Sequence, residues 1–343
     1  MKLTLFINAE HGRDAPFAKR LKEHAEQVRL ARDLGFDGVT IGNHLNYGTT
    51  AWFPSLDTLF YLAPHAEGMS LGTCMLLLPL YDPRHVAEQV ALLDAACEGR
   101  AILGASPGWT KDEFEVMGLD HDRRISRYKE SVEIIRRLFT EDEVSFDGKH
   151  FKLENVSLAL KPTRRPRPPM WFGGSVDKAI ARAAHLAEPE FGDSWVVSSH
   201  LKRDVLVKQS KIFKDGLAGL GKPLPSDFPM LRNIVVAADR ETAIRDVGPA
   251  IAASYKVFGG LGVADGTAIA KNQQAEFDRL INNRFIIGAP EECAEEIASL
   301  MRETGCNRLV TRIQWLSMDH KHVMRTLELI GDKVAPMVDK ALA

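Results

Sequence analysis

Leu71-Gly72-Thr73-Cys74-Met75-Leu76-Leu77-Leu78 is the stretch on which the fold turns. Nearly every side chain in it is apolar, so it shows no alternation between an inner and an outer face. A strand of that kind is buried on both sides, as strands are in parallel sheets covered by helices. The flanks agree. Downstream, Asp82-Pro83 supplies a helix N-cap with a proline at the first helical position, and Val86, Val90, Leu93 and Cys97 then recur on one stripe. Upstream, Gly38-Val39-Thr40-Ile41 reads as a second strand ending at Gly42-Asn43-His44, and Leu3 to Ile7 as a first. Between these two lies a helix-period segment with Phe17, Leu21, Val28 and Ala31 on one face, stopped by Gly35, where a left-handed cap is accessible.

The alternation continues toward the C-terminus. Ala101 to Ala105 is a fourth strand that enters Ser106-Pro107-Gly108-Trp109, followed by a helix over about Ser126 to Phe139 with Tyr128, Val132, Ile135 and Leu138 turned inward. Over 144–153 the period changes, and Phe146-Asp147-Gly148 reads as a two-residue hairpin turn, so a β-hairpin insertion is expected there. Pro169 to Phe172 is a fifth strand running into Gly173-Gly174-Ser175 and a helix from Asp177. Ser194 to Val197, Leu231 to Ala237 and Arg308 to Trp315 complete the set, and a closing helix carries Val323, Leu327, Ile330 and Val334. Eight strands separated by helices in 343 residues predict an α/β protein with one (β/α)8 TIM-barrel domain over 1–343 and rim insertions. A doubly wound open sheet is the competing architecture, but no G-x-G-x-x-G follows the first strand. The stretch 256–284, with Gly259, Gly260 and Gly262, is too long for an ordinary connection and is a candidate lid loop.

Composition removes several function classes. A formal net charge of −2 leaves no cationic excess to hold a phosphate backbone, which argues against nucleic acid as a partner. The basic run Lys161 to Arg167 is interrupted by Pro162 and Pro166 and reads as a stiff solvated loop. Cys74, Cys97, Cys293 and Cys306 are scattered, without C-x-x-C spacing, and His320-x-His322 has no acidic or thiol partner at matching spacing, so no metal is expected. The chain opens on a strand-like segment and contains no long apolar run, so no membrane span is expected and a reducing cytoplasm is the default location.

In such a barrel chemistry sits at the C-terminal ends of the strands. That places Asn43-His44, Leu77-Leu78-Pro79, Ser106 to Trp109, Gly173 to Ser175, and Arg312 with Gln314 around one mouth. Gly173-Gly174-Ser175 before a helix suits an anion, because glycines let amides approach closely and a helix N-terminus is electropositive; on spacing alone it serves equally as a tight turn. His44 can act as a general base or be a hydrogen-bonded rim histidine. No G-x-S-x-G elbow for acyl transfer is present.

Four blocks taken in order resemble the bacterial luciferase-like superfamily of flavin-dependent monooxygenases. They are Gly35 to Val39 with His44; Gly72 to Pro79 with Asp82-Pro83; Glu98 to Trp109 with Glu113, Phe114 and Gly118; and Lys161-Pro162 through Ser175. The resemblance implies FMN, in reduced form as co-substrate, or a deazaflavin, held in the barrel mouth. It sets the ring against the end of strand three, with a non-proline cis peptide within Leu76, Leu77 and Leu78, and beside Ser106, which stands where luciferases have a cysteine. Gly108, Trp109 and Gly173 fall in the same cofactor-binding blocks. Gly174 and Ser175 would hold the phosphate with Arg124 or Arg127, because Pro107 occupies the place of an arginine that some members use. His44 matches the histidine associated with proton transfer. The implied reaction is oxygenation of a small organic substrate by O2, with a separate NAD(P)H:flavin reductase as partner and a homodimer or homotetramer as assembly. Deazaflavin-dependent hydride transfer, a non-catalytic flavin-binding relative and a sugar-phosphate isomerase barrel are the other readings.

Overall fold

The computed structural model describes residues 1–45, 50–260, 278 and 280–343. Its strands are β1 (Lys2–Ile7), β2 (Glu10–Gly12), β3 (Gly38–Ile41), β4 (Thr50–Trp52), β5 (Ser70–Thr73), β6 (Leu76–Leu77), β7 (Ala101–Ser106), β8 (Val144–Asp147), β9 (Lys152–Val156), β10 (Met170–Phe172), β11 (Ser194–Trp195), β12 (Pro229–Val236), β13 (Phe285–Gly288) and β14 (Arg308–Arg312). The main sheet runs β11-β10-β7-β5-β3-β1-β14-β12-β13, with β6 paired to β7, and its ladders are parallel. A parallel bridge from Val197 to Met230 joins the β11 end to β12 and closes the (β/α)8 ring.

Alternation along each strand sorts the side chains between two cores. Leu3, Leu5 and Ile7 of β1 pack outward under the helices, while Phe6 joins Cys74, Ile102, Trp171, Val196 and Val310 inside the barrel. In β14 the same rule puts Arg308, Val310 and Arg312 on one face. Arg308 lies at the lower end, paired with Asp227, and Arg312 at the mouth. Strands β5 and β7 approach so closely that a Cβ at Gly104 would stand 1.9 Å from the Thr73 carbonyl oxygen. Glycine is required there by contact, not by backbone freedom.

Several expectations need correction. Strand three is not continuous: β5 ends at Thr73, the chain passes through a cis peptide at Cys74–Met75, and pairing resumes in β6. The cis bond thus precedes the predicted Leu76 to Leu78 stretch. In the hairpin, Asp147 pairs with Lys152, so the loop holds four residues, 148–151, closed by Gly148 N–H to the Phe151 carbonyl. The helix Phe17–Asp33 buries His24, Gln27, Val28 and Ala31, and leaves Phe17 exposed. Arg167 is no solvated loop residue. It lies buried, with both terminal nitrogens on the Asp193 carboxylate and one also on Glu188. Strand β13, pairing the C-terminal half of β12, was not anticipated. Most of the candidate lid loop, 261–277 and 279, lies outside the described residues; the helix Arg240–Gly260 and strand β13 flank it.

Candidate functional site

Two adjoining cavities of about 590 Å³ and about 190 Å³ open at the C-terminal ends of the barrel strands. They share Cys74, Met75, Ser106, Trp109, His200 and Leu231 in their linings. Their floor is the top layer of the barrel interior, where Cys74, Val196 and Leu231 lie in the inner core.

The larger cavity presents backbone amides and cationic side chains. Trp195 Nε1 donates to the Gly174 carbonyl at 2.9 Å and Gln209 Nε2 to the Ser175 carbonyl at 2.9 Å. In a trans peptide the following N–H points the opposite way, so the amides of Ser175 and Val176 turn away from those partners, and both residues line the cavity. The helix Asp177–Leu186 begins here; Val176, not Ser175, occupies its N-cap, and no side chain caps it. The Ala179 amide is taken by the Val176 carbonyl at 2.8 Å, so in the first turn it is the Asp177 and Lys178 amides that can serve a ligand. A Cβ at Gly174 would come within 2.6 Å of the Ala179 Cβ, so the loop can lie this close to the helix only with glycine.

Arg124, Lys178 and Arg182 line the same cavity, and among the described residues no Asp or Glu does. Arg182 is pushed below the ordinary guanidinium range, first by burial and also by the like charge of Arg124. Arg124 Nη1 donates to the His121 carbonyl at 3.0 Å, while its Nε is buried without a protein partner. A dianionic group at this end would relieve both the repulsion and the orphaned donor. The donor set therefore fits the phosphate of FMN, with the apolar floor at Cys74 and Met75 and the Trp109 side chain available to a ring.

The smaller cavity is lined by a histidine paired with a buried carboxylate. His44, just beyond β3, has Nδ1 at 3.1 and 3.2 Å from the two Glu113 oxygens, and its ring meets Trp52 edge-on at 4.6 Å. Glu113, on the helix Lys111–Val116, is 1% exposed and also accepts the Leu45 N–H at 2.7 Å. An oxygen that accepts from a backbone amide needs Nδ1 as donor, which leaves His44 Nε2 as the basic nitrogen. Asn43 Oδ1 accepts from Tyr81 Oη at 3.1 Å and from Leu77 N–H, fixing the turn that carries the histidine.

The expected residues divide accordingly. Ser106, Gly108, Trp109, Arg124, Gly173, Gly174 and Ser175 line the larger cavity, and His44 and Leu77 the smaller one. Leu76 and Leu78 are buried in the outer core instead. Of the two arginines, Arg127 is turned away: its Nε donates to the Pro79 carbonyl and its guanidinium lies 4.2 Å above the Phe151 ring. Lys178, Arg182 and His200 were not singled out in the sequence, and Glu113 figured there only within a resemblance block, without a role, since only the folded chain brings these residues to the site.

A family model described as luciferase-like monooxygenase matches residues 1–308. The chain belongs to the luciferase-like monooxygenase family. As a luciferase-like enzyme it is an oxidoreductase. It is 26% identical over 343 residues to an FMNH2-dependent dimethylsulfone monooxygenase of Pseudomonas putida, covering 95% of this chain and 88% of that one. It is 27% identical over 333 residues to a 5,10-methylenetetrahydromethanopterin reductase of Archaeoglobus fulgidus, covering 90% and 93%. Among solved structures, a monooxygenase of Streptomyces bottropensis superposes with a TM-score of 0.84 at 21% identity, covering 98% of this chain and 99% of that chain. The FMN-bound oxygenating constituent of a Pseudomonas putida 3,6-diketocamphane monooxygenase gives 0.78 at 19% identity, covering 98% of each. These likenesses bear out the barrel. Among the described residues no helix is long and apolar enough to cross a membrane, and no group of three or more His, Cys, Asp or Glu could hold a metal ion.

Proposed function

We propose that this protein is an FMN-dependent monooxygenase that takes reduced FMN from a separate reductase and uses O2 to oxygenate a small organic substrate. The observation that carries the reading is the asymmetry of the two adjoining cavities: three cations and, among the described residues, no carboxylate at the Gly173–Ser175 end, and a carboxylate-oriented histidine at the other. FMN has that polarity, a phosphate tail and a flat, largely apolar ring. Bound there, reduced FMN supplies the two electrons with which O2 gives one oxygen atom to substrate and the other to water.

This chain's own groups do the rest. Amides of Ser175 and Val176, with Arg124, Lys178 and Arg182, bind the phosphate and so set the register of the ring. Met75, Leu77 and Leu231 keep water from the reacting edge. His44 takes a proton at Nε2 and holds it beside Glu113, then returns it at the same atom. Arg124 is the arginine assigned to the phosphate, and Arg127 supports the loop that carries Pro79.

Anaerobic titration of flavin-free protein with reduced FMN and with a reduced deazaflavin tests the cofactor assignment. Tighter binding of reduced FMN, with substrate-dependent O2 uptake, is expected. Preference for the deazaflavin with no O2 uptake would replace oxygenation by hydride transfer. Rapid oxidation of NADH or NADPH by the protein alone would remove the need for a reductase.

A further inference from the structure

Two asparagines line the smaller cavity, and nothing in the proposed reaction uses either side chain on a ligand. Asn43, just beyond β3, accepts at Oδ1 from Tyr81 Oη at 3.1 Å and from the Leu77 N–H. A backbone N–H can only donate, so the atom facing it is the oxygen and the orientation of the amide is settled. Its Nδ2 has no hydrogen-bond partner among the described residues, and it is not sealed from solvent either. Asn43 is 4% exposed, so the little surface it keeps is on the cavity side.

The opposite end is open in Asn8, just beyond β1. Its Nδ2 donates at 2.8 Å to the Glu10 carbonyl, which can only accept, so Oδ1 is the remaining polar atom. That Oδ1 likewise has no partner among the described residues and is not sealed. The cavity thus carries one fixed donor and one fixed acceptor beyond neighbouring strands, since β1 and β3 pair through Ile7 and Ile41.

We propose that Asn43 and Asn8 form a neutral recognition pair, Asn43 Nδ2 donating to one polar group of the substrate and Asn8 Oδ1 accepting from it. Such a group both accepts and donates, as a hydroxyl or an amide does and a ketone, a carboxylate or a hydrocarbon does not. The inference rests on reading the site as that of a monooxygenase and names the class of substrate it takes: small, mostly apolar, held by a neutral donor–acceptor group. Paired strands lie about 4.8 Å apart, so side chains beyond two of them can reach adjacent atoms of one ligand. Phe6, Cys74, Met75, Leu77 and Leu231 supply apolar wall, and among the described residues no carboxylate contributes. Arg312 shares the lining and already interacts with Glu10. A ligand that covers either amide without pairing it leaves a desolvated polar group behind, and this makes the pair selective. Size is consistent: an apolar cavity of about 150 Å³ holds benzene, and about 190 Å³ admits a six-membered ring with one polar group.

Asparagine-selective ¹⁵N labelling of the full chain, with Asn43→Asp and Asn8→Leu to assign the side-chain NH2 signals, reads the pair on FMN-loaded and on flavin-free protein. Ring probes of one size separate the chemistries. Cyclohexanol and valerolactam donate and accept, cyclohexanone only accepts, and methylenecyclohexane does neither. At least one of the first two should shift the Asn43 NH2 signal and bind about fivefold or more tighter than cyclohexanone, while methylenecyclohexane leaves the signal in place. The tighter of the two tells hydroxyl from amide. Asn43→Asp keeps the oxygen that Tyr81 and Leu77 use and replaces only the donor, and it should weaken the preferred probe by about fivefold or more. Asn8→Leu should bring that probe down to the affinity of cyclohexanone. Cyclohexanone binding wild-type protein as tightly as both donor–acceptor probes, or no probe shifting the Asn43 signal, would overturn the proposal. Reduced FMN failing to bind while the preference stands would overturn the monooxygenase reading alone; FMN bound with no preference would overturn the pair alone.

Discussion

His44 and Glu113 are 69 positions apart, and only the fold makes them a pair. Their geometry predicts that His44→Ala lowers turnover about 100-fold or more while leaving FMN affinity within a few-fold, because His44 does not line the phosphate cavity. Steady-state rates and a flavin titration on the same preparation check this, and unchanged rates would remove His44 from the reaction. A different histidine pair sets the acid limit of the fold. His11 and His24, with rings 5.2 Å apart, are both buried, and burial pushes them down to about 4 and about 3. They are neutral in the folded chain and free to protonate in the unfolded one. Their contribution is therefore complete above the unfolded value near 6.5 and is lost as pH falls from there toward 4, at about 1.4 kcal/mol per pH unit for each. The urea midpoint should drop between pH 7 and pH 5, and His24→Leu should recover about 2 kcal/mol of that drop. An equal drop in both proteins would contradict the assignment.

The loop between β10 and the helix Asp177–Leu186 is the element on which the proposed phosphate site depends. Ser175→Asp sets a negative charge where the phosphate is placed and should raise the FMN dissociation constant at least tenfold, about 1.4 kcal/mol; an unaltered constant would move the phosphate elsewhere. The junction of β10 and β11 is held by Asp193, fully buried, which accepts from Arg167, Arg136 and the Met170 and Glu188 amides. Asp193→Ala strands two guanidinium groups and should cost about 3–5 kcal/mol of stability, read as a fall in urea midpoint. At this scale the sequence was legible wherever an element announces itself locally. The apolar runs of β1, β3, β5 and β7, the Asp82-Pro83 cap and the helix following Ser175 were all readable. Strand β13 was missed because four residues before Ala289-Pro290 carry no periodicity, and the break in strand three at Cys74–Met75 because an apolar run does not betray a kink.

Across the whole molecule, closing the sheet puts eight strand ends around one mouth and turns a list of scattered residues into a site. His44, Ser106 and Gly173 to Ser175 could be named beforehand because each sits in a recognisable strand-end block. Lys178 and Arg182 could not: a cation on an amphipathic helix reads as solvated surface until a neighbouring loop makes it a cavity wall. Nor could Arg124 be told from Arg127, three residues on along one helix, until Phe151 was seen to occupy the latter. The central claim is that the cation-lined end of this cavity receives the phosphate of reduced FMN. Anaerobic titration of wild-type protein and Arg124→Ala with reduced FMN and with reduced riboflavin tests it most directly. Wild-type protein should prefer FMN by tenfold or more, and the substitution should erase most of that preference while changing riboflavin binding little. Equal affinity of the wild-type protein for the two flavins would contradict it.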